Sequence, residues 1–221
     1  MILYAIRSTK GVVRLSASEK ASINIPEDTK EVLVGILLGD AHIVQRSATS
    51  NCKLVYTQTA VDHKNYFRYL RLFFLPFCPK DYIPQSRTVK DKKTGNTYKF
   101  LSFTTMQLPC FNEFRKLFYT LNVKIVPHNI YELLTPRALA HWIMDNGSRH
   151  SKGLHLSVYE FSSADVDRLM NTLQNKFNFT CSIHYNRDNK PCIYIFKESL
   201  DSLRDMVEPY FLDDMLYKLD L

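Results

Sequence analysis

Two apolar segments about one hundred residues apart have the pattern of buried helices. Residues 26–40 open with a proline and two acids, which suit a helix N-terminus, and then run apolar on every side. Residues 134–147 repeat this design, with Thr135 as N-cap, Pro136 in the first turn and Gly147 as C-cap. A helix that is apolar on every side is buried rather than amphipathic, so the pattern predicts two core helices.

A matching series of elements follows each of these two helices. After the first, the pattern predicts a polar turn, a strand, a helix, a hairpin and a closing helix, over residues 53–59, 62–74, 87–90 with 98–104, and 112–121. After the second, it predicts the same series over residues 154–159, 163–177, 181–185 with 192–196, and 200–211. The order is therefore α-β-α-β-β-α, twice.

This order predicts an α+β fold of two pseudo-symmetric repeats with antiparallel sheets, packed through the two apolar helices. The predicted boundaries are an N-terminal tail at 1–25, a first repeat at 26–128 and a second repeat at 129–221. The tail has basic residues and serines and no acid before Glu19, which is typical of a transit peptide. Its alternating apolar residues fit a loosely attached strand equally well, so the role of the tail stays open.

Composition narrows the functional classes. The chain has 221 residues, of which 45% are hydrophobic, and carries 29 Lys and Arg against 22 Asp and Glu. These values exclude a disordered or fibrous protein, and the net charge of +7 favours an anionic partner. Five cysteines without a C-x-x-C pair indicate neither a disulfide framework nor a zinc site. The longest apolar run is far short of the roughly 20 residues that span a bilayer, so no membrane partner is expected.

Two nine-residue segments carry a family resemblance. Residues 33–41 (LVGILLGDA) and 139–147 (LAHWIMDNG) resemble the motif of the LAGLIDADG homing endonucleases and intron maturases. The resemblance covers about residues 26–221, and the tail at 215–219 resembles the single-chain, two-repeat branch typified by the mitochondrial omega-intron endonuclease. One such motif would be weak, but two that open the same series of elements are specific.

The resemblance implies a function and a setting. Family members of this branch are monomeric, site-specific endonucleases that hydrolyse double-stranded DNA at a long asymmetric target and promote the mobility of their intron. Their antiparallel strands form a saddle over the DNA. The resemblance therefore implies a mitochondrial or plastid protein, encoded in the organelle. Its alternatives are a group I intron RNA maturase and a DNA-binding derivative that nicks or no longer cuts.

The catalytic acid of the family stands at the eighth motif position, which is Asp40 in the first half and Asn146 in the second. Gly35 and Ala140 are the small residues expected to let the two helices approach closely. An acid at a helix C-terminus opposes the helix dipole and needs a cation, which Mg²⁺ (or Mn²⁺) supplies through carboxylate and phosphate oxygens. Such an ion can activate water and stabilise the leaving oxygen of a phosphodiester.

Asn146 departs from the family pattern, because an amide brings no charge and is a poor base. The neighbouring Asp145 points about 100° away around an ideal helix. A register shifted by one residue would instead align Asp145 with Asp40 and Ala140 with Gly35. Asp40, Asp145 and Asn146 are therefore all candidate metal ligands. The departure leaves a nicking enzyme, an inactive variant and a maturase open beside the double-strand endonuclease.

Two lysines and the strand residues complete the candidate site. Lys124 and Lys218 match the lysines that the family places near the scissile phosphates. Alternate strand residues share one face of a sheet and can contact phosphates and base edges in the major groove. The candidate DNA contacts are Lys53, Thr57, Arg87, Lys90, Lys92, Lys93 and Lys99 in the first half, and Ser182, His184, Asn186 and Arg187 in the second. The aromatic residues at positions 66–74 are interpreted as core rather than as a base-stacking surface.

Overall fold

A computed structural model describes residues 15–60, 63–80, 82–91 and 94–220. The helices are α1 (Ala17–Ser22), α2 (Glu27–Leu38), α3 (Lys64–Phe74), α4 (Asn112–Phe118), α5 (Ile130–Leu133), α6 (Pro136–Asn146), α7 (Ser163–Phe177) and α8 (Leu200–Val207). The strands are β1 (His42–Gln45), β2 (Cys52–Thr59), β3 (Gln85–Lys90), β4 (Thr97–Thr104), β5 (Tyr119–Thr120), β6 (Val123–Lys124), β7 (Gly147–His150), β8 (Gly153–Ser157), β9 (Cys181–Tyr185) and β10 (Pro191–Ile195). Short 3₁₀ turns connect several of these elements.

Within the described residues, each half of the chain builds one four-stranded antiparallel sheet. The first sheet has the order β1-β2-β4-β3 and the second has the order β7-β8-β10-β9, so the two halves share one topology. Each of the two predicted hairpins is present, and the predicted α+β fold with antiparallel sheets is confirmed.

The prediction missed one strand in each half. The segments interpreted as polar turns after the two core helices are β1 and β7, so each half reads α-β-β-α-β-β-α. Both strands span four residues and lie at the edge of their sheet, and neither shows the clean alternation that identifies a half-buried strand. Each of these edge strands directly follows one of the two core helices.

Two helix ends also differ from the prediction. The helix predicted over 112–121 ends at Phe118, and β5 then pairs with β6 through a turn in which Leu121 and Asn122 have positive φ. The helix predicted over 200–211 ends at Val207, and Pro209 lies in the 3₁₀ turn that follows. The helix at 163–177 is confirmed with Ser162 as its cap.

The N-terminal tail is described only in part. Residues 1–14, which carry the possible transit peptide or strand, lie outside the described residues. Helix α1 follows, and Ser16 and Glu19 form a capping box at its start. The predicted tail at 1–25 and the repeats at 26–128 and 129–221 stay a prediction.

Helices α2 and α6 pack against each other at the centre of the molecule. A Cβ atom on Gly35 would lie 2.3 Å from the backbone oxygen of Ala138 and 2.7 Å from the Cβ of His141. A Cβ on Gly39 would lie 2.4 Å from Oδ2 of Asp145. The two backbones therefore approach as closely as the predicted role of Gly35 requires.

This contact also fixes the register of the two motifs. Gly35 and His141 are both third motif residues, and Gly39 and Asp145 are both seventh. The register therefore follows the family alignment and not the alternative shifted by one residue. Ala140 is fully buried, but the closest neighbours of Gly35 are Ala138 and His141.

The core surrounds this helix pair. Trp142, Tyr56, Tyr66 and Phe103 are among the largest fully buried side chains, and the aromatic residues of α3 pack into the same core, as predicted. Among the described residues, no helix combines the length and the apolar character that crossing a bilayer requires.

Candidate active site

The C-terminal ends of α2 and α6 meet at an open cleft of about 670 Å³. Its lining includes Asp40, Asp145, Asn146, Glu160 and Lys218. The two motif helices thus deliver their eighth-position residues to one solvent-filled space, as the pseudo-symmetry of the sequence predicts.

Asp40 directly follows Gly39 at the end of α2, and its side chain is open to solvent. The Nε2 of Gln58 donates a hydrogen bond to its Oδ2 at 3.1 Å. Partial burial among the surrounding elements raises the pKa of Asp40, while the Gln58 hydrogen bond and the charge of Lys124 act to lower it. Asp40 therefore offers the cleft a carboxylate with one oxygen held in place.

Asp145 is buried between the two helices instead of pointing away from the centre. Its Oδ1 accepts a hydrogen bond of 2.7 Å from the hydroxyl of Tyr56, and its Oδ2 accepts one of 3.2 Å from the backbone N–H of Asp40. Burial, and then the charge of Asp40, raises the pKa of Asp145 to about 8. At neutral pH this carboxyl is mostly protonated, so it is better placed to join the two helix ends than to hold a metal ion.

Asn146 occupies in the second half the position that Asp40 occupies in the first. Its Nδ2 donates to the backbone oxygen of Ser157 at 3.4 Å, whereas its Oδ1 is buried with no hydrogen-bond partner among the described residues. The strand partners differ as well, because the sheet registers place the buried Val158 where the first half has Gln58. The second half therefore presents a neutral oxygen without a supporting donor.

Lys124 and Lys218 lie at equivalent places on the two helix ends. The Nζ of Lys124 donates to the backbone oxygen of Gly39 at 2.7 Å, and the Nζ of Lys218 donates to that of Met144 at 2.5 Å. A cation at a helix C-terminus is favoured by the dipole and satisfies carbonyls that the helix leaves unpaired. Burial lowers the pKa of both amines, to about 8 for Lys218.

The oxygen ligands at the cleft suit a metal ion whose coordination shell consists mostly of water and phosphate oxygens. The described residues contain no group of three or more His, Cys, Asp or Glu side chains that could hold a metal. Mg²⁺ commonly binds one or two carboxylates together with waters and substrate phosphates, so Asp40 alone can anchor it. The unpartnered Oδ1 of Asn146 is a second, uncharged oxygen at the equivalent helix end.

The first sheet separates the predicted DNA contacts between its two faces. Cys52, Leu54, Tyr56 and Gln58 turn toward the core, so the alternate residues of β2, including Lys53 and Thr57, lie on the open face. The pairing of β3 with β4 places Arg87 on that same face, with its Cζ 5.8 Å from the centre of the Phe100 ring.

Lys90 and Lys99 of the first hairpin are not on this open face. Lys99 pairs with Thr88 and Lys90 pairs with Thr97, so both lysines lie on the opposite face, in phase with Phe103. Because the strands alternate, these two lysines do not share a face with Lys53, and their contact with DNA stays a prediction. Lys92 and Lys93 lie outside the described residues.

Ser182 and His184 lie on the open face of the second sheet, and the hydroxyl of Ser182 is buried there. Asn186 instead holds the β9–β10 turn, because its Oδ1 accepts from the N–H groups of Asp188 and Lys190, each at 2.9 Å. Arg187 is exposed at the tip of that turn. The second half therefore offers a basic β9–β10 turn and a face rich in rings.

Gln58, Tyr56 and Glu160 were missed by the sequence analysis. Gln58 had a detectable signal, since it is a polar residue in the buried phase of a strand, where an amide needs a partner. Tyr56 has the sequence pattern of an ordinary core residue, and only the structure shows that its hydroxyl donates to Asp145. Glu160 lies 3.5 Å from the Nζ of Lys124 but follows a strand at a position that no local pattern marks.

Comparison with known proteins gives consistent matches. A profile of the "LAGLIDADG DNA endonuclease family" matches residues 30–203. The chain is 32% identical over 229 aligned residues to the cytochrome b mRNA maturase bI2 of Saccharomyces cerevisiae, an alignment that covers 97% of the chain and 53% of that protein. The chain thus spans about half the length of this relative.

Two further similarities point to nucleases. The chain is 30% identical to a probable intron-encoded endonuclease 1 of Wickerhamomyces canadensis, over 86% of the chain and 83% of that protein. It is also similar to the structure of the homing endonuclease I-WcaI bound to its DNA recognition sequence, with a TM-score of 0.81 and 27% identity. That match covers 89% of this chain and 88% of the other.

Proposed function

Because the chain belongs to the LAGLIDADG DNA endonuclease family, we propose that it is a metal-dependent, site-specific endonuclease of double-stranded DNA. It hydrolyses phosphodiesters in a long asymmetric target and so promotes the mobility of its own intron. We further propose that its two half-sites are unequal. The observation that carries this proposal is the equivalence of Asp40 and Asn146 at the ends of the two packed helices.

In the first half-site, Asp40 would hold the divalent ion, Mg²⁺ or Mn²⁺, and phosphate oxygens and water would complete its shell. When bound, this ion lowers the pKa of a water molecule and stabilises the leaving oxygen of the phosphodiester. Gln58 fixes one oxygen of the Asp40 carboxylate. Lys124 adds a positive charge at the same helix end, where it can favour the charge that develops on the phosphate.

In the second half-site, Asn146 supplies a neutral oxygen and Lys218 supplies the charge. Asp145 does not replace the missing carboxylate at neutral pH, because burial favours its protonated form. A metal ion there has less negative charge to hold it, so cleavage of the strand that faces Asn146 is slower. The protein therefore accumulates nicked DNA before it completes a double-strand break.

The sheets supply the surface for the DNA duplex. Lys53, Thr57 and Arg87 share the open face of the first sheet, while Ser182 and His184 lie on that of the second. Lysine and arginine position the phosphates, and hydroxyl and imidazole groups can meet base edges. The net charge of +7 favours such a duplex, and the two-repeat plan allows one chain to cover an asymmetric target as a monomer.

A maturase function is the second candidate. It is favoured by the 32% identity with a cytochrome b mRNA maturase over nearly the whole chain. On this proposal the protein also binds group I intron RNA and assists its splicing. The names of the relatives, such as a cytochrome b mRNA maturase, further support an organelle-encoded protein, mitochondrial or plastid. The tail at 1–25 and the repeats at 26–128 and 129–221 stay part of the proposal.

The test is cleavage of a supercoiled plasmid that carries the joined-exon sequence from which the intron is absent. With Mg²⁺ the protein should convert the plasmid first to nicked circles and then to linear DNA, and chelation should stop the reaction. The same plasmid without the joined-exon sequence is the control. Tight, specific binding with no nick in Mg²⁺ or Mn²⁺ would refute the endonuclease and leave the maturase.

A further inference from the structure

The open face of the second sheet carries a row of rings, one from each of its four strands. In spatial order they are His150 on β7, His155 on β8, Tyr194 on β10 and His184 on β9. His150 stacks on His155 with ring centres 4.1 Å apart, and His184 stacks on Tyr194 at 4.6 Å. His155 and Tyr194 join the two pairs at 5.1 Å.

These rings face away from the hydrophobic core. Each of the four is partly or fully exposed, whereas the alternate residues of the same strands, such as Leu154, Leu156 and Ile193, are buried. Phe196 extends the row beyond β10, with its ring centre 4.9 Å from that of Tyr194. The row is thus a solvent-facing surface rather than an extension of the core.

The first sheet has no such row at the equivalent places. The register pairs Val55 with Thr104 in the first sheet as it pairs His155 with Tyr194 in the second. By the same ladders, Val44 and Gln85 match His150 and His184. The two halves share one fold, so the rings are a feature of the second half and not a requirement of the sheet.

A metal site does not account for the histidines. No three His, Cys, Asp or Glu side chains among the described residues are grouped to hold an ion. Burial, and then the neighbouring His150 and His184, lowers the pKa of His155 to about 4, so this ring is neutral at pH 7. Neutral imidazole and phenol rings present flat faces and edges that suit stacking.

The charges around the row suit a nucleic-acid strand. Lys152 lies in the β7–β8 turn, and Arg187 and Lys190 lie in the β9–β10 turn at the other end of the sheet. Bases in an intact duplex are stacked on each other and show only their edges in a groove. Unpaired bases in RNA loops can instead stack on His, Tyr and Phe rings, while basic residues contact their phosphates.

We propose that the open face of the second sheet is a stacking surface for unpaired bases of single-stranded RNA. A four-stranded sheet is wide enough for about two or three stacked nucleotides. Unpaired bases are permanently available in the loops of a folded intron but not in a duplex DNA target. The inference rests on the maturase candidate of the proposed function and is independent of DNA cleavage.

The experiment measures binding of the full chain to a fluorescent oligouridine of about twelve nucleotides by anisotropy. An abasic oligomer of the same length and charge separates stacking from phosphate binding, and a DNA duplex of that length serves as a third probe. We expect Tyr194→Leu and His184→Leu each to weaken oligouridine binding about tenfold. Tyr194→Phe, which keeps the ring, should bind as the wild type does.

Tyr185→Leu is the matched control, because Tyr185 is exposed on the same strand as His184 but alternates to the other face. Its affinity for oligouridine should not change. His150→Ala removes a ring at an exposed edge position and should also weaken oligouridine binding. This variant still tests the proposal if Tyr194→Leu fails to fold. Melting curves identify such a failure.

Ring-dependent binding of oligouridine, with the duplex affinity of Tyr194→Leu and His150→Ala changed less than twofold, would support the stacking surface. Equal binding of oligouridine and the abasic oligomer, or equal losses for RNA and duplex in Tyr194→Leu and His150→Ala, would overturn it. A wild-type protein that binds oligouridine through the rings but never cuts DNA would refute the endonuclease alone. A protein that cuts DNA, but whose affinity for oligouridine does not depend on the rings, would refute this inference alone.

Discussion

Gly35→Ala tests how tightly the two central helices are packed. The new methyl group would lie 2.3 Å from the backbone oxygen of Ala138 and 2.7 Å from the Cβ of His141. The oxygen belongs to the backbone of α6 and cannot rotate away, so the helices must separate by about 1 Å to restore an ordinary contact. This movement would disturb the centre of the core and the two helix ends at the cleft.

Two opposing effects set the size of the stability change in Gly35→Ala. Overpacking of this kind costs roughly 1–3 kcal/mol, and the backbone contact places Gly35→Ala near the upper end. Alanine improves helix propensity over glycine by about 1 kcal/mol. The net loss of stability is therefore about 2 kcal/mol, which lowers the Tm of a chain this long by roughly 4–8 °C.

The assay is urea denaturation and calorimetry of the full chain. Asn175→Ala is the control, because Asn175 is exposed on α7 and alanine there gains propensity without a clash. It should leave the Tm unchanged or raise it slightly. A Gly35→Ala protein as stable as the wild type, or more stable, would show that α2 and α6 have room to spare and would refute the close packing.

Three other predictions concern the site. Asp40→Asn should lower the cleavage rate on a labelled duplex at least roughly a hundredfold while DNA affinity changes little, because the anchoring carboxylate is lost. Urea titrations between about pH 4 and pH 8 should show that the free energy of unfolding falls less with rising pH in Asp145→Asn than in the wild type. The folded wild type keeps the proton that the unfolded chain releases in this window, so its stability falls as pH rises. Duplex affinity should fall steeply with salt, with a log–log slope of about −5 or steeper if six or more phosphates are contacted.

Each of these has a contradictory outcome. Unchanged cleavage by Asp40→Asn would remove Asp40 from the site. Parallel pH profiles for wild type and Asp145→Asn would show that the buried carboxyl does not hold its proton. If the affinity for duplex DNA did not change between about 50 and 200 mM salt, phosphate contacts would be excluded as its main source.

The central helices and their ends were predictable from sequence because the determining signals are local. The apolar runs and the small residue Gly35 lie within the two motifs, and the cap at Thr135 lies shortly before the second motif. The equivalence of Asp40 and Asn146 follows from motif alignment, and the packing of Gly39 against Asp145 agrees with it. The edge strands β1 and β7 were missed because four residues beside a turn are too few to show a clear periodicity.

The contacts that tune the site depend on tertiary structure and could not be read from the chain. The orientation of Asp145 depends on the Tyr56 hydroxyl, 89 residues away in sequence. The opposite faces of Arg87 and Lys99 follow from a strand register that composition does not specify. The ring row joins one residue from each of four strands, so it depends on the pairing of the strands and no local motif marks it.

The most direct measurement of the account is the cleavage rate of each DNA strand, followed with separate end labels on a duplex of the joined-exon sequence. The wild type should cut one strand roughly ten- to hundredfold faster than the other, because Asp40 and Asn146 are not chemically equivalent. Asn146→Asp should accelerate the slow strand, and Asp40→Asn should abolish cleavage of the fast one. Equal rates on both strands in the wild type would contradict the unequal half-sites.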